Sequence, residues 1–204
     1  MEVFHVQGNK QLKLSQPQQL MAQERKIVEE AYAGDIIGVF DPGIFSIGDT
    51  LTTAKDNFEF EGIPTFAPEH FARVRQVDTM KRKQFVKGVM QIAQEGAIQI
   101  FQEYQGGMEE IIVGVVGVLQ FDVLKYRLEN EYNAKCRWEP LSLYKACWIE
   151  SDDPAELEAF KKRKYQYMAK DRDGRDVFLA DSGYVLQMAQ MDFKHIKFHF
   201  TSEF

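Results

Sequence analysis

Residues 111–132 read IIVGVVGVLQFDVLKYRLENEY, and this stretch decides how the chain around it folds. It opens with the apolar run 111–113, which is typical of a buried or half-buried strand. Gly114 and Gly117 follow, and we predict that they let the backbone turn tightly or approach another element closely. The next apolar positions have helical spacing: Phe121, Leu124, Leu128 and Tyr132. The predicted unit is therefore a strand, a glycine turn and an amphipathic helix that needs a sheet to cover.

The residues on either side supply the rest of such a sheet. Residues 71–75 alternate as a strand, and Asp78 or Thr79 caps a helix predicted from Met80 to about Glu95. Its inner face is formed by Phe85, Val89, Ile92 and Ala93, and Gly96 ends it. Strands are predicted at 97–104 and 110–116, with a turn at 105–107 between them. With 137–150 as a last strand, the order is β-α-β-β-α-β, the ferredoxin-like arrangement.

The tail continues with mixed structure. A third helix is predicted from Pro154 to about Lys170, after a cap at Asp152 or Asp153. Its inward residues are Leu157, Phe160 and Tyr167. A turn at 171–174, a strand at 177–180, a short helix or turn at 185–191 and a last strand at 196–200 follow.

The first sixty residues indicate β structure. Short alternating pieces at 3–6 and 12–14 flank a turn at Gly8-Asn9, and further strands are predicted at 36–40 and 44–47. Turns are expected at Gly34-Asp35, at Asp41-Pro42-Gly43 and at Gly48-Asp49. Many short strands with glycine turns favour a barrel or sandwich. The sequence EGIPTFAP at 61–68 is typical of a stiff linker, so an α+β domain is expected over 69–204.

Composition excludes several classes of protein. The chain has 204 residues, 45% of them hydrophobic and 27% charged, which indicates an ordinary globular protein. No apolar run approaches the roughly 20 residues of a membrane span, and we expect no signal peptide. Two cysteines, Cys136 and Cys147, are too few for a disulfide framework, and we expect them to be buried or half-buried in a reducing cytoplasm. A net charge of −6 argues against general coating of nucleic acid.

Several motifs together resemble one family. The sequence GVVGVLQFDVLKYRLENEYNAKCRWEP at 114–140 is similar to the C-terminal domain of bacterial peptide chain release factor three. The likeness continues, in the family's order, at four other places. These are AYAGDIIGVFDPGIFSIGDTL at 31–51, EGIPTFAPEHFARVR at 61–75, KGVMQIAQEGAIQIF at 87–101 and ACWIE at 146–150. The family is a translational GTPase that removes class I release factors from the ribosome after peptide release.

The resemblance implies a fold and a set of partners. Residues 1–60 would be a partial β-barrel of the translation-factor domain two type, without its first strands, and 69–204 would be domain three. Asp41-Pro42 departs from the asparagine and histidine that are more usual there. We therefore expect a fragment whose unpaired sheet edge lies at 3–6. Its partners would be the small ribosomal subunit's RNA and protein, the GTP-binding domain in cis and, indirectly, a class I release factor.

The chain lacks the phosphate loop G-x-x-x-x-G-K-[ST]. Gly8-Asn9-Lys10 and the D-x-x-G sequence at 171–174 are too short to replace it. We therefore expect that this chain neither binds nor hydrolyses GTP, and that GTP or GDP belongs to the parent's nucleotide domain. No catalytic, cofactor-binding or metal-binding residue is predicted; His195 and His199 would not share a metal from a strand.

Two basic clusters are the candidate ribosome contacts. Their members are Arg73, Arg75, Lys81, Arg82, Lys83 and Lys87 in the first cluster, and Lys161 and Lys162, within 161–164, in the second. A run of charge is usually a solvated surface, whereas the resemblance favours contact with ribosomal RNA or protein. Arg73 and Arg75 share one side of a strand, and Lys83 and Lys87 share one face of a helix. If these elements adjoin, four positive charges converge.

Two alternatives remain open. The residues 114–117 precede a helix N-terminus, where backbone amides hold anions, although close packing of helix on sheet explains the glycines as well. A stand-alone ligand-binding domain or small enzyme would require a pocket with convergent titratable groups. The Glu29-Glu30 and Glu109-Glu110 pairs are the nearest candidates for acid–base chemistry, and solvated surface explains them equally.

Overall fold

The structure is a computed structural model of the chain. It describes residues 2–14, 18–21, 24–27, 30–40, 43–54, 58–61, 65–106 and 110–202, with the backbone alone at 18–21 and 24–27. The chain divides into two compact units, Met1–Ile63 and Pro64–Phe204. The first is built from short strands and the second from helices packed on a large antiparallel sheet, so the mixed fold class is confirmed.

The first unit contains two three-stranded antiparallel sheets over its described residues. In one, β1 (Glu2–His5) lies between β2 (Lys10–Lys13) and β6 (Leu51–Thr52). In the other, β3 (Gln18–Met21) lies between β4 (Glu24–Ile27) and β5 (Ile37–Gly38). The hairpin of β1 and β2 turns at 6–9, where Asn9 donates its amide to the Val6 carbonyl at 3.0 Å.

Three expectations for this unit are wrong. The segment 3–6 is not an unpaired edge, because β1 is bonded to β2 on one side and to β6 on the other, and the Val6 amide donates to the Thr50 carbonyl at 3.0 Å. The strand expected at 36–40 is limited to β5, and no strand forms at 44–47. Ile36, Ile44 and Ile47 are exposed, so their apolar character does not produce a buried strand there. Asp41 and Pro42 lie outside the described residues.

The first half of the second unit has the predicted β-α-β-β-α-β order. Its elements are β7 (His70–Gln76), α1 (Arg82–Gln94), β8 (Gln99–Glu103), β9 (Ile111–Val115), α2 (Leu119–Asn130) and β10 (Cys136–Leu141). Asp78 caps a short 3-10 turn that leads into α1, and Gly96 follows α1 with a φ of +78°. The predicted inner residues of α1 are all buried, as are Leu124 and Leu128 of α2.

The second half repeats the same order, which the sequence did not predict. Its elements are β11 (Lys145–Ser151), α3 (Pro154–Arg163), β12 (Met168–Asp171), β13 (Asp176–Ala180), α4 (Gly183–Asp192) and β14 (Ile196–His199). Residues 137–150 are therefore not one strand: they contain β10 and β11, which belong to different halves. The third helix ends at Arg163 rather than near Lys170, because Met168 and Ala169 are buried in a strand between β8 and β13.

One eight-stranded sheet joins the two halves. Its order is β10-β7-β9-β8-β12-β13-β11-β14, and the second strand of each half pairs antiparallel with the other. The four helices lie on one face. The cores beneath them are separate: Val74, Val89 and Leu128 belong to one, and Phe160 and Phe178 to the other. Each half therefore has a helical layer and a core of its own.

The opposite face of the sheet holds a third core that both halves share. It includes Phe71 and Phe101 from the first half and Trp148 and Val177 from the second. The ring centres of Phe101 and Trp148 are 5.9 Å apart. Since the helices lie on the other face, the sheet itself must curl to bury these residues.

The connection between β10 and β11 requires the same curl. These strands are six positions apart in the sheet, which is about 29 Å in a flat sheet at ~4.8 Å per strand. Only three residues, 142–144, join Leu141 to Lys145, and such a segment reaches at most about 14 Å. The sheet therefore turns back on itself around the shared core.

Candidate interaction surface

The outer side of α1 carries the clearest positive charge. The segment 79–94 contains four lysines and arginines and no acidic residue. Lys83 and Lys87 are exposed, one helical turn apart, while Phe85 and Val89 anchor the helix to the sheet. Neither lysine forms a salt bridge with any part of the chain that the structure describes. Lys81 is half-buried and Arg82 is exposed beside them.

Arg73 and Arg75 do not join that surface. Val74 packs with α1, so its two neighbours point to the opposite sheet face, away from Lys83 and Lys87. There they pair with carboxylates. Arg73 lies 2.6 Å from Glu103, and Arg75 lies 3.0 Å from Glu139 and 3.4 Å from Glu110. The expected convergence of four positive charges is therefore wrong, because strand and helix present their cations on opposite sides.

The second basic cluster is also divided. Lys161 is half-buried and bonds with Glu158 and with Asp176, the latter at 3.3 Å. Asp176 also accepts hydrogen bonds from Lys170 and from the Tyr104 hydroxyl. Burial raises the pKa of Asp176, but these hydrogen bonds and the charges of both lysines outweigh it and hold that pKa below its ordinary value. Lys162 is exposed and keeps its charge available.

The amides at the start of α2 already have an acceptor. The Gln120 side-chain oxygen accepts from the amides of Val116 at 2.9 Å and Gly117 at 3.0 Å. Its side-chain amide donates to the Ala97 carbonyl at 2.9 Å. This residue therefore fills the place that an anion would take, and the alternative of an anion site at 114–117 loses its support.

Of the six glycine and aspartate residues expected at turns, all but Gly114 lie at a turn or bend. Two turns in the first unit share one geometry. After Gly34, which has a φ of +99°, the Asp35 carboxylate accepts from the Tyr32 amide and the Asp35 amide donates to the Tyr32 carbonyl. After Gly48, with a φ of +94°, Asp49 forms the same two bonds with Ser46. Gly117 lies in the bend before α2.

Gly114 is not in a turn, because it lies within β9. A Cβ there would stand 2.8 Å from the Pro68 Cβ and 2.9 Å from the Phe101 ring. This glycine permits close approach instead, which was the other role expected of it.

A cavity of about 290 Å³ lies between α1 and the hairpin of β12 and β13. Val86, Met90, Ile100 and Ile111 give it an apolar lining, and Gln102, Lys170 and Arg172 are at its polar side. Lys170 is engaged by Asp176, and Arg172 lies 3.1 Å from Asp173. Both basic lining residues are thus paired with carboxylates that lie outside the lining, and the described residues show no set of titratable groups that converges on the cavity.

His199 and the two cysteines are paired or buried within the fold. Within the described residues no three His, Cys, Asp or Glu side chains are placed to hold a metal ion. His199 bonds to Glu150 at 3.0 Å. Cys136 and Cys147 are buried as expected, and burial raises the pKa of their thiols to about 11 and about 12. No helix in the described ranges is both long and apolar enough to cross a membrane.

One surface group was not found from the sequence. Tyr144, Tyr184 and Phe200 are exposed aromatic side chains, and the Lys145 ammonium lies 4.9 Å from the Phe200 ring centre and 5.9 Å from that of Tyr144. These residues come from three separate places in the chain. The pairing of β11 with β13 and β14 brings Lys145 and Phe200 together and sets the Tyr144 ring against Gly183, the residue before Tyr184, and no local pattern in the sequence carries that information.

Comparison with known proteins places the fold described above among the domains of translation factors. Residues 60–190 match the family described as class II release factor RF3, C-terminal domain, and residues 1–54 match elongation factor G domain 2. This chain therefore belongs to the class II release factor RF3 family.

Curated relatives agree with the assignment. The chain is 52% identical over 183 residues to peptide chain release factor 3 of Symbiobacterium thermophilum, and 45% identical over 186 residues to that of Streptococcus mutans. These matches cover 88% and 91% of this chain. They cover only 33% and 35% of the relatives, so the chain spans about a third of their length.

The fold also has a counterpart among solved structures. The crystal structure of ttk003000868 from Thermus thermophilus aligns with a TM-score of 0.56 over 75% of this chain and 24% of that protein. Sequence identity is 16%, so this likeness concerns the fold alone.

Proposed function

We propose that this chain is the ribosome-docking and conformational-relay part of a GTPase that recycles class I release factors at translation termination in the cytoplasm. The observation that carries the proposal is the 52% identity, over 183 residues, to a peptide chain release factor 3. GTP binding and hydrolysis belong to the remainder of the parent protein, since the 204 residues here contain no phosphate loop. Neither catalytic residues nor a bound nucleotide are assigned to this chain.

The outer side of α1 is the docking surface that we favour. Lys83 and Lys87 are exposed, lack a salt bridge in the described parts of the chain and stand on a helix segment with no acidic residue. Arg73, Arg75 and Lys161 form ion pairs with carboxylates, so we do not include them in the docking surface. A local cationic face in a protein of net charge −6 suits a polyanionic partner, because RNA is held largely through its phosphates.

The relay role requires two partners. One is the small ribosomal subunit, through its RNA and protein, and the other is the GTP-binding domain in cis. The class I release factor is affected indirectly, when the docked module moves relative to that domain. The second unit suits such a role, since its halves share one sheet and one of its cores.

Pelleting with small ribosomal subunits over a range of salt concentrations tests the docking surface. The variant Lys83→Ala/Lys87→Ala should bind more weakly, and the slope of log affinity against log salt should fall by about 0.7 to 0.9 per lost phosphate contact. Lys125→Ala/Lys194→Ala is the matched control, since it removes two exposed lysines elsewhere. Equal slopes for both double variants would show that α1 is only a solvated surface.

A further inference from the structure

The second half of the second unit carries an exposed aromatic patch with a lysine beside two of its three rings. Its members are Tyr144, Lys145, Tyr184 and Phe200, and we call them the aromatic–lysine patch. The three rings are 50%, 71% and 40% exposed. The Lys145 ammonium lies 4.9 Å from the Phe200 ring centre and 5.9 Å from that of Tyr144. This lysine therefore stands over two rings that face solvent.

Backbone pairing holds the patch in place. The Tyr144 amide donates to the Ala180 carbonyl at 2.8 Å, which extends the pairing of β11 with β13. A Cβ on Gly183 would stand 3.7 Å from the Tyr144 ring, so this ring rests on the first residue of α4. Tyr184 is the next residue, and Phe200 directly follows β14, which pairs with β11 on its other side. The rings are thus presented by paired strands and a helix start rather than by a long loop.

No carboxylate in the described part of the chain pairs with the Lys145 ammonium. The groups beside that ammonium are the two rings. Asp181 directly follows β13, the adjoining strand, and its oxygen accepts from the Ser182 hydroxyl at 3.0 Å. An exposed ammonium beside ring faces is therefore available to a ligand that carries both an aromatic surface and a negative charge.

We propose that the aromatic–lysine patch binds unpaired nucleotides of an RNA strand. Bases of any sequence stack on aromatic side chains, and a lysine beside them meets the phosphate between two bases. Aromatic residues are also common at protein–protein interfaces, but lysine is depleted from the centre of those interfaces. The lysine beside two of these rings therefore favours RNA over a protein surface. The assignment of ribosomal RNA as the source of that strand rests on the function proposed above.

The direct test uses the 204-residue chain and a fluorescein-labelled, unstructured RNA of ten nucleotides. Fluorescence anisotropy should show that Tyr144→Ala and Tyr184→Ala each weaken binding by about 5- to 150-fold, the range for loss of one stacked base. Tyr144→Phe keeps the ring and should bind like the unaltered chain. Lys145→Ala should lower the salt slope by about 0.7, the value for one phosphate of a single strand. Tyr126→Ala, which removes a 66% exposed tyrosine from α2, is the control.

Parallel pelleting with small ribosomal subunits separates this proposal from the docking function. If the RNA titration depends on the patch but the subunits do not pellet the chain, the patch proposal stands and the proposed function fails. If patch variants weaken subunit binding while the chain does not bind the free RNA, the patch contacts a protein and our proposal is overturned. It is equally overturned if Tyr144→Ala, Tyr184→Ala and Tyr126→Ala titrate the RNA alike.

Discussion

Trp148 of β11 donates its indole N–H to the carboxylate of Asp171, at the end of β12, over 2.9 Å. Both side chains lie on the sheet face that carries the shared core, and the Asp171 side chain is only 7% exposed. The same carboxylate accepts from the amides of Asp173 and Arg175, each at 2.9 Å, and lies 2.8 Å from the Arg175 guanidinium. The D-x-x-G segment at 171–174 thus closes a hairpin and orients the largest core residue.

Replacement of Asp171 should therefore be costly. Asp171→Ala leaves the indole and two backbone amides without their acceptor and should lower the free energy of unfolding by about 2–4 kcal/mol. Asp173→Ala, in the same turn but with a side chain that is 52% exposed, should change it by less than about 0.5 kcal/mol. Urea unfolding followed by circular dichroism measures both. Equal effects of the two substitutions would mean that Asp171 acts only as a turn residue.

The close approach at Gly114 gives a second prediction. Gly114→Ala places a Cβ against Pro68 and Phe101 inside a buried strand, so we expect a loss of about 1–3 kcal/mol. Gly117→Ala meets nothing within 4 Å, and its φ is not in the left-handed region, so it should be neutral or stabilise by up to about 1 kcal/mol. Thermal unfolding of the two variants measures both changes in stability. A Gly114→Ala protein as stable as Gly117→Ala would show that the strand shifts freely.

The elements that sequence predicts well are those with a single buried face. Phe85, Val89 and Ile92 repeat at helical spacing, so α1 is evident without any tertiary information. The strand β12 is different, because Met168 and Ala169 are both buried and belong to cores on opposite faces of the sheet. Such a strand does not alternate, and the helical spacing of Leu157, Phe160 and Tyr167 continues up to it. The sequence pattern therefore predicts too long a third helix and misses the second half of the sheet.

Of the candidate interaction surface, too, only the part set by local spacing can be predicted from the sequence. That Lys83 and Lys87 share one exposed face follows from their spacing alone. The pairing of Arg75 with a carboxylate does not, since its partner Glu139 is 64 residues further along the chain. Only the register of β10 against β7 brings these charges together. Cross-strand ion pairs and the aromatic–lysine patch depend on long-range pairing, so they become visible only in the folded chain.

The cluster around Asp176 predicts a pH dependence of stability. The pKa of this carboxyl is lowered in the folded state, so its contribution to stability is present above the unfolded value of about 4 and is lost as pH falls below it. Asp176→Asn removes the titrating group. We expect this variant to be less stable at pH 7 and to lose less stability than the unaltered chain between pH 5 and pH 2.

Denaturant unfolding at a series of pH values checks the prediction. The difference in unfolding free energy between the unaltered chain and Asp176→Asn should shrink steadily as the solution is acidified through this range. A constant difference at all pH values would show that Lys161, Lys170 and Tyr104 do not stabilise the charged form.

The two glycine–aspartate turns of the first unit provide a matched comparison. In each, the aspartate side chain accepts from the amide three residues earlier: Tyr32 donates to Asp35 at 2.8 Å, and Ser46 donates to Asp49 at 2.6 Å. Asp49 has a second partner, because its Oδ2 lies 2.7 Å from Nε2 of His5, which is 4% exposed. The same local motif is thus a surface turn at one site and the support of a buried histidine at the other.

Asp49→Ala should therefore destabilise the first unit more than Asp35→Ala. Loss of the exposed turn bond costs about 0.5–1.5 kcal/mol, and leaving a buried histidine nitrogen without its partner adds about 1–3 kcal/mol. Amide hydrogen exchange in β1 measures the effect locally, since β1 carries His5 and is paired on both sides. Exchange in β1 should accelerate in Asp49→Ala and remain nearly unchanged in Asp35→Ala. Equal acceleration in both variants would show that the turns, and not the His5–Asp49 contact, hold this sheet together.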